Sequence, residues 1–296
     1  MIISSTEARI LIDCPDELVS ALAESSFLEN YIPEVKIEIQ STSYDHKLTL
    51  LKTNADQPHF DFSHTESVLS GKLGTSVNIK DIVTVIDHCL EYVRQSKSIY
   101  CIHGSAVSST KNCGVVFFGP VSGLGKTTLA LNLCLKRDFS FIGDEKILLD
   151  RDRYIIGGAK RIAFNKSVLH NSVGTDLDDR SLDELSQKIR ITTERVQIKL
   201  LVLPMLFPSS TDLEVDEWDQ SKANFHIYEE LTRKIRGTSR RIQNFSYPLP
   251  SLDSEKQAVE RSEYAHLFSE NCQTIYLKGG QNNILDYITN LLDRSC

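Results

Sequence analysis

The sequence predicts an α/β fold in two parts, a small N-terminal α/β domain over residues 1–95 and a larger domain over 96–296. Three observations carry this. Segments with strand-like alternation are interleaved with segments whose apolar residues recur at helical spacing. The character of the chain changes after the helical pattern Ile79–Arg94, where short apolar runs punctuated by glycine take over. The composition, 41% apolar and 25% charged over 296 residues, is that of a globular protein with enough chain for a small and a medium core.

In the N-terminal part, Ala8–Asp13 reads as a strand and Pro15–Leu28 as a helix. Val35–Gln40 alternates strictly, as a half-buried strand does, and His46–Thr53 suggests another. Asn54–Gly74 is polar with few periodic signals and reads as a hairpin or loop. Ile82, Ile86, Leu90 and Val93 share one face of a helix over 79–94.

In the larger part, Tyr100–Val107 reads as a strand, Gly114–Phe118 as a buried strand, and Leu129–Leu135 as a helix. Phe139–Glu145 reads as a strand ending in acid, with short strands at 147–150 and 154–156. Leu200–Phe207 is a further apolar run. Asp176–Glu194 and Trp218–Thr232 are polar and predicted helical. Thr274–Lys278 reads as a strand and Asn283–Leu292 as an amphipathic helix.

Between the strand ending at Phe118 and the helix beginning near Leu129 lies Gly119-Pro-Val-Ser-Gly-Leu-Gly-Lys-Thr-Thr128. Strand, glycine-rich turn, Lys-Thr and helix, in that order, is the context of a phosphate-binding P-loop. Glycines let backbone N–H groups turn inward, and the helix aims its positive dipole end at the same spot. Lys126 is expected to reach the β- and γ-phosphates, and the Thr127 hydroxyl to take a place on Mg²⁺. One position departs from the usual spacing: Pro120 stands where the first glycine is expected, and Gly119 comes one residue early.

Such a loop works with an acid at the end of a neighbouring strand. Ile142-Gly-Asp-Glu145 supplies Asp144 and Glu145, one helix and one return strand downstream. Ligands of open α/β sheets bind at the carboxyl ends of strands, where these acids are expected. His103, after an apolar strand and before Gly104-Ser105, is a third candidate. Arg233-Lys-Ile-Arg236 with Arg240-Arg241 forms the densest basic cluster, able to contact phosphates or an acidic peptide; Lys160-Arg161 is a weaker one.

Taken together, Ile102-His-Gly-Ser-Ala-Val107, Val115–Leu129 and Gly143-Asp-Glu145 resemble the core of the HPr kinase/phosphorylase family, over about residues 100–150. The same core is similar to that of phosphoenolpyruvate carboxykinases, whose loop also reads Ser-Gly-x-Gly-Lys-Thr-Thr; those enzymes are far longer, and their oxaloacetate-binding parts have no counterpart here. The kinase resemblance implies a P-loop-containing HPr kinase-like catalytic domain. It implies that Ser122, Gly123, Leu124, Gly125, Lys126, Thr127 and Thr128 hold ATP, and that Thr127 and Asp144 hold Mg²⁺. It further implies that Glu145 accepts the proton of a substrate serine, with His103 beside that acid. Arg236, Arg240 and Arg241 are the substrate candidates. Glu145 stands where the family usually has Asp, and Thr128 where it carries an acid. The longer signature of phosphorolysis has no clear counterpart.

The expected function is ATP-dependent transfer of a phosphoryl group to a hydroxyl, first of all a serine of a protein or peptide, including a ribosomally made precursor peptide. The alternatives are a small-molecule acceptor and a nucleotide-binding regulator without transfer. The resemblance also implies a homo-oligomer. A net charge of −7 argues against a nucleic-acid partner. No apolar run approaches membrane-spanning length, and Met1–Glu7 lacks a basic region leading into an apolar stretch, so no membrane partner and a cytoplasmic location are expected. The seven cysteines show no Cys-x-x-Cys spacing, and Cys101, Cys113 and Cys134 read as reduced core residues.

Overall fold

The computed structural model describes residues 1–39, 43–160, 188–207, 209–237 and 240–295. The chain is mixed α/β and divides into two compact units, Met1–Tyr100 with Leu231–Arg261 and Cys101–Glu230 with Ser262–Cys296. The sequence reading drew one boundary at residue 95 and gave everything beyond it to the second domain. The difference is Leu231–Arg261, whose Ile235, Ile242, Leu249 and Leu252 are buried in the same core as Ile10, Leu48 and Leu90.

The first unit has a six-stranded sheet. Its strands are β1 (Ile2–Ser5), β2 (Ala8–Asp13), β3 (Val35–Glu38), β4 (His46–Lys52), β5 (His59–Phe62) and β6 (Glu66–Gly71). Their order is β3-β1-β2-β4-β6-β5, with β2, β4 and β6 parallel and the outer pairs antiparallel. The polar stretch 54–74 thus contains a hairpin. The helix expected over Pro15–Leu28 is two, α1 (Asp16–Ala23) and α2 (Ser26–Tyr31), because the Ser25 side chain caps a new start by accepting the Leu28 N–H at 3.3 Å. Helix α3 (Ile79–Ser96) opens with a capping box of Asn78 and Asp81.

The buried side of α3 also carries charge. The Arg94 guanidinium donates to Asp87 at 2.8 Å, and Arg240 donates to the other Asp87 oxygen at 2.6 Å. All three side chains are 3% exposed or less. The neighbouring His88 donates its Nε2–H to the Pro250 carbonyl, 2.8 Å away, and burial holds its pKa down to about 3.

The second unit has a ten-stranded sheet. Its strands are β7 (Tyr100–Ile102), β8 (Gly104–Ser108), β9 (Cys113–Phe118), β10 (Ser140–Gly143), β11 (Ile147–Leu149), β12 (Tyr154–Gly158), β13 (Arg190–Ile191), β14 (Val196–Leu206), β15 (Leu213–Glu217) and, near the end of the chain, Gln273–Gly279. The strand expected over Tyr100–Val107 is interrupted at His103, because β7 pairs with β11 whereas β8 pairs with β9 and β10. Strand β9 lies parallel to β14, and β14 parallel to Gln273–Gly279. Pro204 interrupts no ladder on the β9 side, since that pairing ends at Val202↔Phe117.

Helix α4 (Lys126–Lys136) and the helix Gln281–Ser295 cover one face. Leu129, Leu133, Ile284 and Ile288 pack there on Val115, Phe117, Val202 and Ile275. The helix expected over Trp218–Thr232 runs Gln220–Arg233, and a helix over Glu255–Asn271 was not foreseen. Of the helix expected over Asp176–Glu194, residues 176–187 lie outside the described residues, and the described remainder holds the short strand β13.

Cys101 and Cys134 are buried free thiols, as expected, but Cys113 is disulfide-bonded. Sequence spacing is silent on such a bond, because bridging needs only closely placed Cβ atoms in the folded chain. Among the described residues no helix is long and apolar enough to cross a membrane.

Candidate functional site

The strand β9 is buried throughout and delivers the chain to Gly119 at its carboxyl end. The turn that follows ends at Gly125, which takes φ +96° and stands at the start of α4. A side chain there would be strained, and its Cβ would meet the Leu206 Cβ at 2.5 Å. Gly125 provides no side-chain cap, so the first N–H groups of α4 face the turn without one. The Leu206 N–H donates to the Leu124 carbonyl at 3.1 Å and ties the turn to the end of β14.

Lys126 is 9% exposed, and its ammonium donates to the carbonyls of Gly119 at 3.2 Å and Val121 at 2.8 Å. It therefore lies over the turn rather than out in solvent. Ser122 and Gly123 are exposed, Leu124 is half-buried, and Thr128 is buried, with its carbonyl accepting from Asn132 at 2.8 Å.

Thr127 opens toward the neighbouring strand end. Its Oγ1 lies 2.9 and 3.1 Å from the two carboxylate oxygens of Asp144, which follows β10 directly. Ser105 on β8 also donates to Asp144 Oδ1, and its hydroxyl is 3.4 Å from that of Thr127. Asp144 is 2% exposed. Burial, reinforced by the Glu145 charge, pushes its pKa up to about 7, against the pull of the two hydroxyls.

Glu145 has a different setting. Its main chain takes φ +66°, and the Lys146 N–H donates to the Asp144 carbonyl at 2.7 Å. Glu145 is thus the centre of a three-residue turn of the rare, strained hand, the kind of backbone that clusters at functional sites. The turn is braced by Asp144 N–H to Ala159 at 3.0 Å and Ala159 N–H to Lys146 at 2.9 Å. Gly143 and Gly158 make this bracing possible: a Cβ on Gly143 would meet the Gly158 Cα at 2.6 Å. The Glu145 side chain is 37% exposed. His103 sits at the break between β7 and β8, with Nδ1 3.0 Å from the Glu145 carbonyl oxygen and 3.8 Å from its carboxylate.

The second unit therefore brings together Lys126, Thr127, Asp144, Glu145 and His103. The basic cluster is elsewhere in the chain's organisation: Arg236, Arg240 and Arg241 all belong to the first unit. Arg240 is 3% exposed and paired with Asp87, which makes it a structural ion-pair partner in place of the substrate contact expected of it. Arg236 faces Asp253 at 3.8 Å, and Arg241 is exposed on a two-residue strand. Lys160 is exposed, and Arg161 lies outside the described residues.

Sequence reasoning missed Ser105 and Lys146, the latter a lysine only 1% exposed directly after the two acids. A hydroxyl in an entirely buried strand was the available signal for Ser105, since a buried polar group needs a partner. A cleft of about 540 Å³, lined by Ser108, Asn112, Arg190 and Thr192, lies at the far end of β8 and takes no part in the site. Among the described residues no group of three His, Cys, Asp or Glu could hold a metal ion. No protein-family model matches the chain, and no curated protein matches it in sequence.

Proposed function

We propose that the chain is an ATP-dependent phosphotransferase that moves the γ-phosphoryl group onto a hydroxyl, first of all a serine of a protein or peptide, with a P-loop unit of the HPr kinase type. The observation that carries this reading is the meeting of Thr127 and Asp144 at 2.9 Å beside the helix start that Lys126 opens.

The residues fit ATP and Mg²⁺ on three counts. The α4 start presents N–H groups without a side-chain cap. Lys126 adds a cation at the same turn. Burial and the Glu145 charge keep a proton on Asp144 up to about pH 7, and a divalent cation takes a proton's place at such a carboxylate.

When bound, Mg²⁺ would neutralise charge building on the β- and γ-phosphate oxygens. Lys126 and the loop amides would hold those oxygens in place and stabilise the same charge. Thr127 and Asp144 would hold the metal. Glu145, more exposed than Asp144, would take the proton of the acceptor hydroxyl as its oxygen bonds to the γ-phosphorus and ADP departs with the electron pair of the broken P–O bond. A base so placed contributes roughly 10²–10⁴ in rate. A cytoplasmic location goes with this use of ATP.

Two departures favour a second reading, a nucleotide-binding regulator without transfer: Pro120 occupies the first glycine position, and Thr128 stands where the resembled family carries an acid. Calorimetric titration with Mg²⁺ and ATP, followed by incubation with γ-labelled ATP and hydroxyl acceptors, decides. Binding with label on a peptide or a metabolite supports the enzyme and names its acceptor class. Binding without transfer to any acceptor or water leaves the regulator, and no heat of binding removes both.

A further inference from the structure

We propose that His103 acts on Glu145 through the main chain: its Nδ1–H, donated to the Glu145 carbonyl, clamps the strained turn that aims the Glu145 carboxylate, which makes His103 a positioning residue. The use of that carboxylate as a base rests on the function proposed above; the clamp itself does not.

The geometry separates the two contacts. Nδ1 is 3.0 Å from the carbonyl oxygen, within hydrogen-bonding range, and 3.8 Å from the carboxylate oxygen, outside it. A carbonyl oxygen only accepts, so Nδ1 must carry the proton. The tautomer is thereby set by a neutral main-chain group.

The turn has need of a clamp. A glutamate at φ +66° has no intrinsic preference for that region, and such conformations persist only where the surroundings over-determine them. The N–H groups of Asp144 and Lys146 and the carbonyls of Asp144 and Lys146 are bonded within the turn and to Ala159. The Glu145 carbonyl accepts from His103 Nδ1 at 3.0 Å. His103 is itself anchored on both sides, by β7 on β11 and by β8 on β9 and β10. The clamp thus joins two strand ends 42 residues apart in sequence.

Two measurements on the ligand-free protein test this. Nitrogen-15 spectra of the labelled imidazole should show His103 as the Nδ1–H tautomer; an Nε2–H tautomer overturns the proposal without any variant being made. Amide exchange at Asp144 and Lys146 then reads the turn. Asparagine places its Nδ2–H close to where Nδ1–H stood, whereas glutamine mimics the far nitrogen. His103→Asn should keep the protection of the parent, and His103→Ala and His103→Gln should exchange on the order of tenfold faster, as loss of one hydrogen bond gives. Equal exchange in the Asn and Gln variants, with all melting temperatures alike, overturns the clamp. Phosphotransfer assays of the same proteins keep the proposals apart. No transfer by any of them, with the Asn-specific protection intact, removes the function and leaves the clamp; transfer with uniform exchange removes the clamp and leaves the function.

Discussion

Thr127 Oγ1 lies 2.9 and 3.1 Å from the two oxygens of Asp144, although one residue belongs to the first turn of α4 and the other follows β10. The contact joins the helix that starts at the glycine-rich turn to the acidic strand end. It is the place where a change of one atom tests the proposed chemistry most directly.

Asp144→Asn keeps the shape and a partner for Thr127 and Ser105 but removes the charge. ATP affinity in the presence of Mg²⁺ should fall to the metal-free level, a loss on the order of tenfold or more. Calorimetric titrations with and without Mg²⁺ give the comparison. A variant whose affinity still rises with Mg²⁺ would remove Asp144 from metal binding.

The raised pKa of Asp144 sets a pH dependence in metal-free protein. The folded-state value of about 7 lies above the ordinary carboxylate value of 3.8, so the folded state holds a proton that the unfolded chain releases. The stabilisation is full below the unfolded pKa and is lost as pH rises through about 7. Melting temperatures of the metal-free protein should therefore decline from about pH 4 to about pH 7, by an effect on the order of a few kcal/mol at most, and level off above. The Asp144→Asn variant should show a flatter profile, and an unchanged slope in that variant contradicts the assignment.

Ser105 is fully buried and donates to Asp144. Ser105→Ala should cost about 1 kcal/mol of stability. It should also move the pH midpoint of the metal-free melting profile upward, because the lost hydroxyl had favoured the ionised carboxylate. A midpoint that stays in place, or moves down, would mean that Ser105 does not act on Asp144.

Two glycines of the turn should behave differently on substitution by alanine. Gly125 has φ +96° and a filled Cβ position, whereas Gly123, at φ +85°, faces open space. Gly123→Ala should cost about 1 kcal/mol from the backbone alone, and Gly125→Ala clearly more, since Leu206 must also shift. Denaturant midpoints measure both. Equal losses would mean that the close approach to Leu206 carries no cost.

In the first unit, Asp87→Ala leaves the buried Arg94 and Arg240 guanidiniums without their shared carboxylate. The expected loss is about 3–5 kcal/mol, the range for breaking a buried pair on one side. Chemical denaturation followed by circular dichroism gives the value. A loss below about 1 kcal/mol would mean the network is solvated.

The parts of this molecule that were legible in the sequence are those encoded locally. Val115–Phe118, the glycines after it and the helical run from Leu129 state a strand, a turn and a helix within twenty-odd residues, and they occupy those positions. Asp144 and Glu145 were legible as acids ending a strand. Their different settings were not, because burial of one and the positive φ of the other arise from β8 and from the crossing at Gly158. Arg240 read as a candidate substrate contact because its partner Asp87 lies 153 residues away. The same holds for Leu231–Arg261: its apolar residues announce a core but not which one. Single strands and helices followed from periodicity, whereas the polar stretch holding β5 and β6 left hairpin and loop both open, because its alternation is incomplete.

The way each unit recruits chain from beyond its first stretch has a consequence for biosynthesis. A nascent polypeptide that has reached residue 230 carries the whole six-stranded sheet but lacks the segment that fills its core, and it lacks the strand that lies beside β14. The first unit can finish closing only once Arg261 has left the ribosome, and the second only once the strand Gln273–Gly279 and the helix Gln281–Ser295 have followed, so chains stalled before Leu231 should be open to proteases in both units.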